Sequence, residues 1–124
     1  MNPFNTLTKG HVAEDLARRY LERHGLRFVA KQFNTKGGEL DLVMLDKDTL
    51  VFVEVRFRQT FSYGQAEETV TYHKQRKLAF AAKCFLNRYP KWYEHYMRFD
   101  VVGITEKHGK MVYNWIDNAF EVRS

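Results

Sequence analysis

The clearest signal along the chain is a pair of alternating apolar segments. Glu39 to Leu45 and Leu50 to Arg58 read as two strands, joined across Asp46-Lys47-Asp48-Thr49 as a hairpin. Around them the period changes. From Thr8 to Gly25 the apolar residues Val12, Ala13, Leu16, Ala17, Tyr20 and Leu21 recur at helical spacing, with Thr8 as a cap and Gly25 as the stop. Leu26 to Phe33 reads as a strand, and Asn34 to Gly38 as a turn. Gln59 to Glu67 is a polar, aromatic loop containing Tyr63-Gly64. Thr71 to Tyr89 is a second helix stopped by Pro90, with the stripe Leu78, Ala82, Phe85, Leu86 and Tyr89. Arg98 to Ile104 and Met111 to Ile116 complete the strands, and Asp117 to Phe120 ends the fold. The order α-β-β-β-α-β-β predicts an α/β fold with a mixed central sheet flanked by helices. At 124 residues the chain is expected to be a single domain.

Strand side chains alternate faces. Leu40, Leu42 and Met44 are therefore expected to share a buried face with Val51, Val53, Val55 and Phe57. The opposite face starts apolar near the turn, with Val43, Leu45, Leu50 and Phe52. Further out it carries Glu39, Asp41, Glu54, Arg56 and Arg58. A hairpin loop of two or four residues pairs Leu45 with Leu50. It then sets Asp41 opposite Glu54 and Glu39 opposite Arg56. Opposed residues share a face, with Cβ atoms about 5 Å apart. Two carboxylates placed so repel, and a divalent cation reverses the sign. Mg²⁺ takes oxygen ligands, commonly one or two carboxylates with water and substrate phosphate. The competing reading is a set of solubilising charges on an exposed edge strand.

Two more polar residues fall near apolar arcs. Glu14 lies at the margin of the first helix's stripe and can reach the sheet, whereas Asp15 points away. The alternative for Glu14 is a surface pair with Arg18 at i+4. Gln75 lies within the second helix's arc and needs a partner there, unless it belongs to a fraying first turn.

Charge adds a location. The net charge is +5, and between Thr69 and Tyr93 there is no Asp or Glu. That window holds Lys74, Arg76, Lys77, Lys83, Arg88 and Lys91, six cations that exceed the net charge of the whole chain. Lys74, Lys77 and Arg88 run along one shoulder of the helix, as a phosphate-facing surface does. A solvated helix face is the alternative. The single cysteine, Cys84, excludes an internal disulfide, fits a reducing compartment and reads as a packed thiol. The N-terminus lacks a signal-peptide pattern, and no apolar run is long enough for a bilayer, so a cytoplasmic protein without membrane contact is expected. The five histidines show no zinc spacing, and Gly37-Gly38 leads into a strand, which excludes a phosphate loop.

The strings Gly38-Glu39-Leu40-Asp41-Leu42-Val43 and Val51-Phe52-Val53-Glu54-Val55-Arg56 resemble the YraN-like family of restriction-endonuclease-like proteins. Lys9-Gly10 with Ala13-Glu14, Val70 to Leu78, Arg98 to Val102 and Asn118-Ala119-Phe120 extend the resemblance over nearly the whole chain. That family resembles archaeal Holliday-junction resolvases and the PD-(D/E)XK nucleases. The resemblance implies an αβββαβ core and Mg²⁺-dependent cleavage of phosphodiester bonds in branched or structured DNA, with Mn²⁺ able to substitute. It implies Asp41, Glu54 and the Val55 carbonyl as metal ligands, Glu14 as an accessory ligand or water-orienting group, and Arg56 at the position of the superfamily's lysine. Gln75 joins the catalytic set, and Lys74, Lys77, Arg88 and Arg58 the DNA-binding set. Leu40 stands where the superfamily has proline, a position without chemistry. Arginine for lysine matters more, because a guanidinium stays protonated and cannot act as a base. A homodimer is expected, since two-fold junctions need paired cuts. The alternative is a non-catalytic nucleic-acid-binding protein, or a recombination accessory protein, with a degenerate site.

Overall fold

The structure, a computed structural model, describes residues 9–58 and 70–121, with side chains from His11 onward. The Thr8 cap and the Gln59 to Glu67 loop lie outside the described residues. The elements are α1 (Lys9–Arg23), β1 (Arg27–Thr35), β2 (Gly38–Asp46), β3 (Thr49–Arg58), α2 (Tyr72–Arg88), a 3₁₀ turn (Pro90–Trp92), β4 (Tyr96–Lys107) and β5 (Lys110–Phe120). Gly25 ends α1 at φ +96°, a left-handed conformation that glycine adopts without penalty. It lets the Leu26 N–H reach back to the Leu21 carbonyl at 3.1 Å.

The five strands form one sheet in the order β1-β2-β3-β4-β5. Neighbours are antiparallel except β3 and β4, which pair in parallel from Thr49↔Tyr96 to Arg58↔Thr105. α2 lies in the connection between those two strands, as a parallel pair requires. The hairpin loop has two residues, Lys47 and Asp48, and the register is Leu45↔Leu50 through Leu42↔Val53. This is the mixed α/β architecture expected of a restriction-endonuclease-like protein.

The two faces of the sheet carry separate cores. Ala13, Ala17 and Leu21, spaced four apart on α1, pack with Leu42, Met44, Val51, Val53, Val102 and Ile104. Leu78, Ala81, Ala82, Phe85 and Leu86 of α2 pack with Val43, Leu50, Phe52 and Val101.

Strict alternation fails at one place, and that place matters for function. Leu40 joins the α2 core with Phe33, not the α1 face of Leu42 and Met44. The cause lies between the pairs Lys31↔Leu42 and Phe33↔Leu40, where Gln32 and Asp41 are missing from the β1–β2 register. Gln32 has φ +50°, unusual for a residue with a side chain. The two strands turn over together there, so Leu40 and Phe33 change face. β2 also leaves β3 at the same level, because its register ends at Leu42↔Val53. Asp41 therefore stands at a fork in the sheet instead of continuing the ladder opposite Glu54.

β5 also runs further than the sequence pattern indicates. Phe99↔Phe120 and Val101↔Ile116 flank a bulge in which Asn118 has φ +50°. Asp100, fully buried, accepts the Asn118 N–H at 2.9 Å and the Trp115 Nε1–H at 2.9 Å, stitching the bulge to β4.

Candidate metal and nucleic-acid site

The fork at Asp41 builds the site. With β2 gone from the ladder, the Val55 N–H lacks a backbone partner from that strand. The Asp41 carboxylate takes it instead, Oδ2 accepting at 3.0 Å. This hydrogen bond fixes Asp41 against the β3 backbone beside Glu54.

Glu54 is only 4% exposed. Phe52, two residues before it, faces the α2 core, and alternation sends Glu54 and Arg56 to the same side. Arg56 Nη2 lies 3.2 Å from Glu54 Oε2, and Lys74 Nζ of α2 lies 3.7 Å from the same oxygen. Oε1 is buried and has no hydrogen-bond partner among the described residues. Burial, and next the charge of Asp41, push the Glu54 carboxyl up to about 7, against the pull of Lys74 and Arg56. The expected Glu39–Arg56 pairing is replaced by Glu54–Arg56. Past the fork, Glu39 pairs along β1 with Asn34.

Lys74 reaches the site because the first turn of α2 is anchored. The Thr71 hydroxyl accepts the Lys74 N–H at 3.2 Å, an N-cap. Gln75 Nε2 donates to the Val70 carbonyl at 3.1 Å. Gln75, expected in the catalytic set and in need of a partner, spends a donor on the chain entering the helix, and its neighbour Lys74 meets Glu54. The helix is also seated on the β1–β2 turn. A Cβ on Gly38 would run into the Lys77 carbonyl, so only glycine allows this approach.

From the other side α1 presents Glu14, half-buried, whose Oε1 accepts from Gln32 Nε2 at 2.9 Å. Burial raises its pKa, opposed by the Gln32 hydrogen bond, while the charges of Asp41 and Glu39 add to the rise. Arg18 does not pair with Glu14; it meets Glu22 at 3.4 Å and lies over the Phe28 ring. His11 Nδ1 is 2.9 Å from the same Gln32 nitrogen. His11, Glu14, Gln32, Asn34, Glu39, Leu40 and Asp41 line a hollow of about 290 Å³. Sequence reasoning missed Gln32 and His11. The i, i+3 spacing of His11 and Glu14 was a usable sign, whereas the turned-over backbone of Gln32 left none.

The remaining basic residues are spread out. Lys77 is exposed one turn after Lys74, and Arg58 is exposed at the end of β3. Arg88 closes the far end of α2, about 21 Å away at helical rise, with its guanidinium 5.9 Å from the Tyr89 ring centre.

Among the described residues no three His, Cys, Asp or Glu side chains gather into a self-sufficient metal cage. The Asp41–Glu54 pair nevertheless fits a hard divalent cation. It supplies two carboxylates, one with an oxygen that is buried and unpartnered, and leaves further positions to water and substrate oxygens, the usual habit of Mg²⁺.

Sheet topology and the forked acidic site together define a restriction-endonuclease-like α/β protein. The sequence pattern of the Uncharacterised protein family UPF0102 matches residues 13–104, and the chain belongs to that family, the YraN-like proteins. It is 48% identical over 114 residues to a UPF0102 protein of Stutzerimonas stutzeri, covering 92% of this chain and 95% of the relative. A UPF0102 protein of Aliivibrio fischeri is 49% identical over 116 residues, covering 93% of each chain. One from Pseudomonas putida is 46% identical over 114 residues, covering 90% of this chain and 92% of the relative. Among the described residues no helix is long and apolar enough to cross a membrane.

Proposed function

We propose that the protein is a Mg²⁺-dependent endonuclease that hydrolyses phosphodiester bonds in branched or structured DNA. The observation that carries this reading is Glu54, a buried carboxyl beside Asp41 with one oxygen unpartnered and two cations on the other. Burying a carboxyl next to another carboxyl is destabilising, and such an arrangement is characteristic of functional sites.

Asp41 and Glu54 would hold the cation, with the carbonyl of Val55, the residue after Glu54, as the third oxygen. When bound, the metal supplies an acidified water and neutralises charge on the scissile phosphate. Asp41 stays in place through the Val55 N–H. Glu14, steadied by Gln32, orients water from the α1 side. Arg56 offsets charge developing on the phosphate without serving as a base. Lys77 and Arg58 contact flanking phosphates, and Arg88 extends that track along α2 toward a second protomer or a second DNA arm.

Cleavage assays on junction, flap and single-stranded DNA with Mg²⁺ or Mn²⁺ test the reading. Wild type should cut at least one structured substrate, Asp41→Asn should not, and Arg56→Lys should retain or raise activity. No metal-dependent cut by wild type or Arg56→Lys sinks it.

A second reading follows from the charge balance. Arg56 and Lys74 already pair with Glu54 without metal, as suits a nucleic-acid-binding module with a degenerate site. In that case Asp41→Asn binds DNA as wild type does, and nothing is cut.

A further inference from the structure

The two cations on Glu54 are not equivalent. Arg56 is on the same strand, two residues on, in a segment of β3 paired throughout with β4. Its nitrogen is at 3.2 Å and its side chain is 25% exposed. Lys74 arrives from another element, at the longer 3.7 Å, and is 32% exposed. Its backbone is pinned by Thr71, but four flexible methylenes separate the backbone from the ammonium. One cation is built into the strand; the other leans in and can leave.

Lys74 leans on the carboxylate that a divalent cation needs, on Oε2 beside the unpartnered Oε1. An ammonium on one oxygen of Glu54 competes with a cation on the same carboxylate, because positive charges held so near each other repel even in water. There is also somewhere for the ammonium to go. The first turn of α2 has no acidic residue, and His73, Arg76 and Lys77 beside Lys74 are exposed. An arriving phosphate meets this turn, and a lysine ammonium is a suitable partner for it.

We infer that Lys74 is a built-in counter-ion that stands beside Glu54 in place of a divalent cation and transfers to a phosphate of the nucleic acid when substrate docks. This rests on the reading of Asp41 and Glu54 as a cation pair, and it deepens that reading by making cation loading depend on substrate. Lys74 is a positioning residue here. It acts on the cation through Glu54, and binding of nucleic acid and of cation strengthen each other by the same factor.

The test is Mn²⁺ affinity, measured by electron paramagnetic resonance on the full chain, with and without a short DNA junction. Wild type should bind free Mn²⁺ weakly and tighten when DNA is added. Lys74→Gln should bind Mn²⁺ about tenfold more tightly without DNA, and DNA should then add little. Lys74→Arg, which keeps the charge, should restore the weak binding. Equal Mn²⁺ affinity of wild type and Lys74→Gln, or tightening by DNA that survives in Lys74→Gln, overturns the counter-ion role and leaves the cation pair intact. Absence of Mn²⁺ binding in both proteins, with and without DNA, overturns the cation pair itself and the counter-ion with it.

Discussion

The Asp41 carboxylate accepts the hydrogen bond that a neighbouring strand's carbonyl would otherwise accept from Val55, its Oδ2 lying 3.0 Å from the Val55 nitrogen. One side chain thus fills a gap in the sheet and presents a negative charge to Glu54. The two tasks separate by substitution. Asp41→Asn keeps an acceptor for Val55 and drops the charge. The Glu54 titration midpoint should then fall below about 7, because a cause of its elevation is gone. Asp41→Ala also removes the acceptor and should cost about 1–3 kcal/mol. Carboxyl-resolved NMR titration and amide exchange at residue 55 read the two effects separately.

The elevated Glu54 carboxyl makes stability depend on pH. Its ordinary value is 4.5 and its folded value about 7, so between these the native state holds a proton that the unfolded chain has released. Stability of the metal-free protein should therefore be fullest, as regards this group, below pH 4.5 and decline as pH rises through about 7. The whole contribution is roughly 3 kcal/mol. Glu54→Gln should flatten the decline. Urea unfolding at closely spaced pH values between 4 and 8 measures it, and a slope that persists unchanged in Glu54→Gln would assign it to another group.

The hairpin register was legible in the sequence: the alternation around Asp46 to Thr49 gives Leu45↔Leu50 with a loop of either two or four residues, and the structure has two. That register brings Asp41 to the level of Glu54, although the ladder ends one pair earlier, at Leu42↔Val53. The fork was not legible. Nothing in Lys31-Gln32-Phe33 marks a residue at φ +50°, because strand periodicity assumes a regular pleat and a left-handed residue breaks it without changing composition. The change of face at Leu40 and the Asp41–Val55 bond were hidden for the same reason. On α2 the angular position of Gln75 suggested a site residue. Lys74 was reachable only through its length, since a long side chain at the margin of an arc can bend inward.

Seating of α2 on the β1–β2 turn should be sensitive to a single methyl group. A Cβ on Gly38 meets the backbone carbonyl of Lys77, which cannot move aside as a side chain can. Gly38→Ala should cost about 1–3 kcal/mol and displace the first turn of α2, weakening the Lys74–Glu54 contact. On Gly37 the obstacle is the Phe80 ring, half-exposed and free to rotate, so Gly37→Ala should be milder. Thermal melts of the two variants rank them, and the reverse order would contradict the packing.

The far end of the sheet depends on Asp100. Its Oδ1 accepts from Arg98 Nε and the Asn118 N–H, both at 2.9 Å, and its Oδ2 from Arg98 Nη2 at 3.2 Å and Trp115 Nε1 at 2.9 Å. Arg98 continues the chain to Asp46 at 3.0 Å, beside the β2–β3 turn. A fully buried charge with four donors is tolerated because every lone pair is met. Asp100→Ala leaves the Arg98 guanidinium short of its main partner and frees the bulge at Asn118. It should cost about 3–5 kcal/mol, the usual consequence of removing one member of a buried pair. Asp100→Asn keeps shape but turns an NH₂ group toward two of the four donors, so it should lose nearly as much. The double variant Asp100→Leu with Arg98→Met removes both charges and should recover part of the loss. Urea unfolding of the three variants decides the matter, and a double variant less stable than Asp100→Ala would show that the Arg98–Asp46 bond, not the buried carboxylate, holds this end of the sheet.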